Sequence, residues 1–449
     1  MATEIKVKRG YDLQLMGEAD KKVVSASSSR AFAVKPPNFH AVIPQLHYKE
    51  PGKHLKAGEE LFFSKYNDKI RFTTPVSGTI QEIVRGDRRR VMEIVMTPDS
   101  EIEFKDFGVM DVASADAESL KARIFESGCG AFIRQRPYNV VANPEDEPRD
   151  IYVSVCATAP LAADPEFILE GQEKEFQAGI DALAKITSGQ VYLGVKKGSS
   201  SFLKSVKNVQ LLEIEGKHPA GNVGVQIAHT KPINKGERVW TVGPEDVAII
   251  GRLFLTGRFD AQRTVAVVGS DAKDKKYFKT RVGASVDTFI GKVDTNETRI
   301  ISGDVLSGEK LEGNGYVGWF DNTLTLIPEG DNYRMFGWIP FRHNNIPSKS
   351  HTSLSWLRPN KKYAVNTNLN GEERAMVMTG EMEDVVPIDV FPMQLLKACL
   401  AGDIERMQDL GIYEVVPEDF ALVDFVSSSK VEAQDIIQMG LDIMITEVG

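Results

Sequence analysis

The sequence predicts a multidomain α/β protein, β-rich at its start and helical at its end. Two observations carry the prediction. The apolar pattern changes along the chain, from short runs bounded by glycine and proline, to strands alternating with helix-period segments, to helix-period segments alone. The composition, 26% charged and 42% hydrophobic over 449 residues, is that of an ordinary globular chain long enough for several cores.

Residues 1–107 read as β. Ile70 to Thr73, Thr79 to Arg85 and Val91 to Thr97 are short strands separated by Pro75, Gly78 and a basic turn. The run from Pro51 to Phe62, followed by Thr74 to Ile80, resembles half of a biotinyl/lipoyl-type barrel-sandwich, in which glycines make tight turns around a small apolar filling. A carrier domain needs a modifiable lysine at a hairpin tip. Lys65 is nearby, but Ser64-Lys65-Tyr66-Asn67 matches neither attachment motif, so the region reads as barrel-sandwich-like scaffold. The turn Arg85-Gly86-Asp87-Arg88-Arg89-Arg90 reads as a hairpin tip. It is either a solvated turn or a docking point for acidic groups on a partner or for phospholipid head groups.

Residues 108–258 read as a Rossmann-like α/β domain. Ala117, Leu120 and Ile124 share a helix face that Gly128 stops; Phe176, Ile180, Leu183 and Ala184 share another that Gly189 stops. Ile151 to Cys156, Val191 to Val195 and Val209 to Ile214 are the strands between, and alternation of this kind argues a parallel sheet. In residues 259–330 a run at 264–268, a short helix at Ala284 to Ile290, and strands at Arg299 to Ile301 and Gly315 to Phe320 suggest a β-grasp domain. Residues 331–386 read as a mixed connecting segment. Residues 387–449 read as a helical domain over Phe391 to Ala401, Asp403 to Leu410, Pro417 to Val426 and Val431 to Thr446, with Leu395, Leu396, Cys399 and Leu400 on one packing face.

The stretch richest in chemistry runs from Gln210 to His229. A strand ends at Gly216, and a loop holding His218, Pro219, Gly221 and Gly224 opens a helix. Strand, glycine loop and helix is how α/β proteins offer backbone N–H groups to an anionic or planar ligand, although a plain tight turn reads the same way. His218 either hydrogen-bonds backbone or touches a ligand oxygen. Phe132, in Gly130-Ala131-Phe132-Ile133-Arg134, is a candidate ring-stacking wall for the same ligand.

Elsewhere the scan excludes more than it finds. Gly313-Asn314-Gly315-Tyr316-Val317-Gly318 spells G-x-G-x-x-G, but a dinucleotide site needs a strand before and a helix after it, and this one leads into β-like sequence. No Walker A, H-E-x-x-H or G-x-S-x-G is present, so no catalytic residue is assigned. Cys129, Cys156 and Cys399 are scattered, which argues against a disulfide framework, zinc or a cysteine-ligated cluster; no metal site is expected. A net charge of −9 disfavours nucleic acid, and no apolar run approaches the ~20 residues of a membrane span. A cytoplasmic protein is expected.

Several blocks, in the same order along nearly the whole chain, resemble one family. They are Ile5 to Leu13, His218-Pro219-Ala220-Gly221 with Gly224 and Ile227, Thr280 to Ser285, Ile301 to Gly308, Phe336 to Ile339, Gly371 to Val377, and Ala401-Gly402-Asp403. The family is NqrA, whose members are subunits of the Na+-translocating NADH:quinone reductase. It is related to the cysteine-cluster subunit of electron-transport complexes and to the NADH-binding subunit of complex I. The resemblance implies a peripheral subunit on the cytoplasmic side of the bacterial inner membrane, in a translocase that oxidises NADH, reduces a quinone such as ubiquinone and exports Na+. It implies partner subunits, with membrane subunits included, that hold the flavins and the iron–sulfur centre. No cofactor is expected on this chain; quinone is the one candidate ligand, with His218, Gly221, Gly224 and Phe132 as its candidate contacts. The isolated chain is expected to be inactive, serving assembly and the quinone-side site. The alternatives are a pure scaffold without ligand and a stand-alone NADH/flavin-dependent dehydrogenase subunit. One departure stands out. Family members often carry cysteine–proline–glycine where this chain has Ser427-Ser428-Ser429, so no role of that cysteine transfers.

Overall fold

The structure is a computed structural model and describes residues 2–26, 29–291, 293–313, 315–330, 346–349 and 352–449, with side chains omitted at 352–354. The block Phe336 to Ile339, Asn314 of the G-x-G-x-x-G run, and residues 331–345 of the connecting segment lie outside the described residues.

The central element is a seven-stranded sheet in the order Thr3–Val7, Gln210–Gly216, Val191–Lys196, Asp150–Val155, Val239–Val242, Ile133–Arg136, Val140–Val141. The first five strands are parallel; Ile133–Arg136 is antiparallel to Val239–Val242, and Val140–Val141 antiparallel in turn to Ile133–Arg136. Val153, Leu193 and Leu212 are fully buried, as befits parallel strands covered on both faces. Helix Ala117–Glu126 starts where Asp116 accepts the Ser119 N–H and ends before Gly128 at φ +87°. Trp240 is buried in this sheet and donates its indole N–H to Gln135 Oε1 at 2.9 Å.

The first 25 residues depart from the expected boundary at 107. Thr3–Val7 pairs in parallel with Gln210–Gly216 and so extends the α/β sheet, while Val23–Ser25 pairs with Tyr277–Arg281 in a second sheet. Only from Phe32–Val34 onward does the chain build the β-sandwich. There a four-stranded sheet (Phe32–Val34, Val91–Pro98, Gly78–Arg85, His54–Leu55) and a three-stranded one (Pro44–Leu46, Glu60–Ser64, Asn67–Thr73) share one core. Phe62 and Phe72 stack inside it at 4.5 Å, each worth roughly 1.5–3 kcal/mol of burial.

The second sheet has the order Glu309–Leu311, Thr298–Ser302, Thr323–Pro328, Gln262–Val268, Tyr277–Arg281, Val23–Ser25. The expected strand at Gly315 to Phe320 is not one; the strand is Thr323–Pro328. Residues 315–321 turn instead, because Ser302 Oγ donates to Asp321 and accepts the Gly318 N–H at 2.8 Å, folding the segment back on itself. The short helix is Asp287–Ile290 rather than starting at Ala284.

Beyond residue 387 lie the helices Pro392–Ala401, Ile404–Asp409, Ala421–Val426 and Ala433–Glu447. Leu395, Leu396 and Cys399 are buried, but Leu400 is 55% exposed and falls outside the packing face expected for it. Among the described residues no helix is long and apolar enough to cross a membrane.

Glu414 and Asp424 in this region sit above their ordinary range. Burial, with Asp389 adding, pushes Glu414 from 4.5 up to about 7, and burial pushes Asp424 from 3.8 up to about 6. A folded-state pKa above the unfolded one means the fold holds the proton more tightly. The cost of ionising Glu414 in place is absent below pH 4.5, grows through the window to about 7, and is complete above it. Glu414→Gln is therefore expected to raise the melting temperature at pH 8 and leave it unchanged at pH 4. Melting curves at the two pH values check this, and an equal shift at both would refute the assignment.

Candidate functional site

Because five strands of the large sheet are parallel, their carboxyl ends lie on one side. Numbered by sequence, Asp150–Val155, Val191–Lys196, Gln210–Gly216 and Val239–Val242 have the order 3-2-1-4, half of a doubly wound sheet, and the connections leaving that side are where such folds hold ligands. Three segments meet there. The chain leaves Thr3–Val7 into Gly10, Tyr11 and Asp12; it leaves Asp150–Val155 into Cys156 and Thr158; and it leaves Gln210–Gly216 into the His218 loop.

His218 is 3% exposed and held on every side. Its backbone N–H donates to Asp12 Oδ1 at 2.9 Å, its carbonyl accepts the Tyr11 N–H at 2.8 Å, and its ring Nδ1 lies 3.2 Å from Thr158 Oγ1. Thr158 Oγ1 also accepts the Gly221 N–H at 2.9 Å, so one hydroxyl ties the His218 ring to the loop backbone. Burial pulls the His218 pKa below its ordinary value, against the opposing pull of Asp304, Asp12 and Glu418. At neutral pH the ring is uncharged.

The glycines of the loop are explained by close approach. A Cβ at Gly221 would stand 2.2 Å from Cys156 O. One at Gly224 would stand 2.4 Å from Arg136 Nη1 and 2.7 Å from both carboxylate oxygens of Asp419. Gly224 lies in the first turn of the helix Val223–Thr230, so what its missing side chain admits is a buried ion pair of this chain. Arg136 donates through Nη1 to Asp419 Oδ2 at 2.9 Å and through Nη2 to Glu418 Oε1 at 2.7 Å. Burial opposes the Arg136 charge, but Asp419 and Glu418 outweigh it and hold its pKa above the usual value. Asn222 Nδ2 donates to Glu418 O at 3.2 Å and fixes the same junction.

Carboxylates also stand at two further helix starts on this side, while helix Ser201–Ser205 after Val191–Lys196 has no side-chain cap. Asp164 caps helix Pro165–Ile168, accepting the Glu166 N–H at 3.0 Å and pairing with Lys21. Helix Pro244–Thr256 begins with Glu245, which accepts the Thr264 N–H at 2.9 Å, and Asp246, which takes Arg263 Nη2 at 2.6 Å.

His218, Gly221 and Gly224 thus come together; Phe132 does not join them. It is fully buried in a different cluster, stacked on Trp319 at 5.0 Å and covered by the Arg263 guanidinium at 5.6 Å, while Ala220 of the His218 loop packs with the C-terminal helices. A cavity of about 310 Å³ is lined by Leu306, Ser307, Gly308, Pro417, Gln434, Asp435 and Gln438, and by none of His218, Gly221, Gly224 or Phe132. Ser427 Oγ accepts the Val431 N–H and Ser429 Oγ donates to Ala375 O, so both serines hold turns. Among the described residues no group of three or more His, Cys, Asp or Glu could hold a metal ion. Sequence reasoning missed Gly10, Asp12, Thr158, Arg136 and Asp419. The only local sign of them was the Gly10-Tyr11-Asp12 turn at the end of the first strand.

Comparison with known proteins gives three matching family models. Residues 5–99 match the NqrA N-terminal barrel-sandwich hybrid domain, residues 115–259 the NqrA second alpha/beta domain, and residues 264–313 the NQRA C-terminal domain. The corresponding subunit of the Na(+)-translocating NADH-quinone reductase from Saccharophagus degradans is 34% identical over 446 residues, covering 97% of this chain and 98% of that one. The chain belongs to the NqrA family. The Neisseria meningitidis serogroup B member is 32% identical over 442 residues, with 98% of both chains covered. Among NqrA-family features, the barrel-sandwich N-terminal domain and the α/β second domain are the two units described above. Among solved structures, an NAD+-reducing NiFe-hydrogenase in its air-oxidised state overlays with a TM-score of 0.36 at 11% identity, over 75% of this chain and 64% of that one, a likeness too slight to carry an argument.

Proposed function

We propose that this chain is a peripheral subunit of a Na+-translocating NADH-quinone reductase, placed on the cytoplasmic side of the bacterial inner membrane. Its role is assembly and support of the quinone side, without electron transfer of its own. The observation that carries the second part is the occupation of its helix starts. An α/β domain binds a dinucleotide by offering a helix N-terminus to the pyrophosphate. Here a carboxylate stands at the helix start after three of the parallel strands: Asp164 caps Pro165–Ile168, Glu245 and Asp246 lie in the first turn of Pro244–Thr256, and Asp419 lies against Gly224 of Val223–Thr230. A pyrophosphate would have to displace an internal carboxylate at each. Flavins and the iron–sulfur centre belong in this reading to partner subunits, including membrane subunits.

Quinone contact is the second reading, and the cavity between Leu306 and Pro417 favours it. Leu306 and Pro417 offer a quinone an apolar surface in a volume of about 310 Å³. Phe132, enclosed by Trp319 and Arg263, is left out of that contact. We also assign residues 259–330 to a β-grasp fold and 387–449 to a helical domain. In support, Gln262–Val268 lies parallel to Thr323–Pro328 at the sheet centre, with hairpin partners outside them and the helix Asp287–Ile290 between in sequence.

The test is affinity purification of the tagged chain from mildly solubilised membranes of its own host. Membrane subunits, a flavin spectrum and Na+-dependent NADH:quinone activity are expected in the eluate, with no flavin on the chain purified alone. A chain recovered alone and colourless from membranes would defeat the subunit reading; flavin bound to the isolated chain would favour an independent dehydrogenase.

A further inference from the structure

Neither the fold nor the site above uses the hairpin tip at residues 85–90. Strands Gly78–Arg85 and Val91–Pro98 close with Arg85 opposite Val91, so the tip has only to reverse the chain. It does so with four arginines and one aspartate, all exposed, and none of the four arginines forms an ion pair among the described residues. The turn holds one shape: the Gly86 N–H donates to Arg90 O at 2.9 Å, the Arg90 N–H to Asp87 O at 3.1 Å, and Arg85 Nη1 to Arg89 O at 3.2 Å. Arg88 and Arg89 sit at φ +52° and +61°, left-handed backbone that suits glycine or asparagine far better. Two arginines kept in unfavourable backbone at a solvent-facing tip mark the side chains, not the turn, as what matters there.

Charge and shape select the partner. The whole chain carries −9, so attraction to an anionic surface must be local. Residues 85–90 include no large apolar side chain, the anchor around which a protein interface is built. Guanidinium forks match phosphate oxygens in pairs. On the same hairpin Glu82 is roughly 10 Å from Arg85 along the strand, while Glu93 pairs with Val84, one step below the tip. Only Glu82 lies beyond the ~8 Å screening length of physiological salt; four arginines against Asp87 and Glu93 still leave the tip positive. We propose that residues 85–90 dock this protein on the phosphate groups of an anionic phospholipid surface.

The test is co-sedimentation of the full chain with phosphatidylcholine vesicles, with and without phosphatidylglycerol. Binding is expected only to the anionic vesicles and is expected to fall as salt rises. A variant carrying R85Q, R88N, R89N and R90Q keeps residues that tolerate the turn, so its melting curve should match the parent's. Its affinity for the anionic vesicles should drop by about fivefold per arginine removed, with R88N and R89N alone giving about 25-fold. Equal sedimentation with both vesicle types, or a fourfold-substituted variant that binds like the parent, overturns the proposal. So does a variant that keeps its vesicle binding but loses a co-purifying subunit, which would move the tip onto an acidic protein face.

Discussion

Asp419→Asn is expected to destabilise the protein by about 3 kcal/mol, the lower end of the ~3–5 kcal/mol lost when one partner of a buried ion pair is removed. Arg136 is 1% exposed and Asp419 2%, so neither can turn to water. Asn keeps the shape of the side chain but withdraws the charge 2.9 Å from Arg136 Nη1. Glu418 remains at 2.7 Å from Nη2, which is why the lower end of the range applies. Asn can keep its oxygen at the Oδ2 position, which accepts the Val416 N–H at 3.1 Å, so the loss reports the charge rather than that bond. Urea unfolding of parent and variant measures the difference. Pairing Arg136→Met with Asp419→Leu should recover much of the stability, since the damage comes from stranding one charge rather than from losing the pair. A loss under about 1 kcal/mol in the single variant, near what a surface pair is worth, would show that Arg136 does not depend on Asp419.

Gly10→Ala is expected to cost about 3 kcal/mol or more, the sum of backbone strain and overpacking. Gly10 has φ +129°, and a Cβ there would stand 2.2 Å from His218 O and 3.3 Å from Pro219 Cδ. The first obstacle is backbone, so no rotamer change relieves it. The alanine must push the His218 loop away and break the 2.8 Å bond from the Tyr11 N–H to His218 O. Gly52 is the control: it too has positive φ, at +96°, but nothing lies within 4 Å of an added Cβ. Gly52→Ala reports backbone strain alone, and the excess at Gly10 reports the close approach. Equal losses at the two positions would remove the case for a tight Gly10–His218 junction.

What was legible in the sequence follows the range of the forces involved. Helix Ala117–Glu126 was visible because its face, its Asp116 cap and its Gly128 stop all lie within one short window. The strand–loop–helix around His218 was visible for the same reason. Invisible were the pairings made across the chain. Arg136 and Asp419 are 283 residues apart, and each reads locally as an ordinary surface residue. Gly224 therefore looked like an opening for a ligand when it makes room for their ion pair. Phe132 looked like a ring-stacking wall because an aromatic beside glycines can be one, but Trp319, 187 positions later in the numbering, covers it. Gly315 to Phe320 carried strand-like side chains, yet the Ser302–Asp321 contact turns the segment before it can pair.

The N-terminal strand also bears on how the protein is made. Thr3–Val7 is synthesised some 200 residues before its partner, Gln210–Gly216. At roughly 5–20 residues per second, that is a delay of about 10–40 s. Val23–Ser25 waits longer still, for Tyr277–Arg281. Through that interval the β-sandwich can close on its own, while the leading segment trails unpaired. When it docks, it covers the outer edge of one sheet and the end of another, edges that would otherwise invite pairing between nascent chains. Nascent chains should therefore depend on chaperones most before residue 216 emerges.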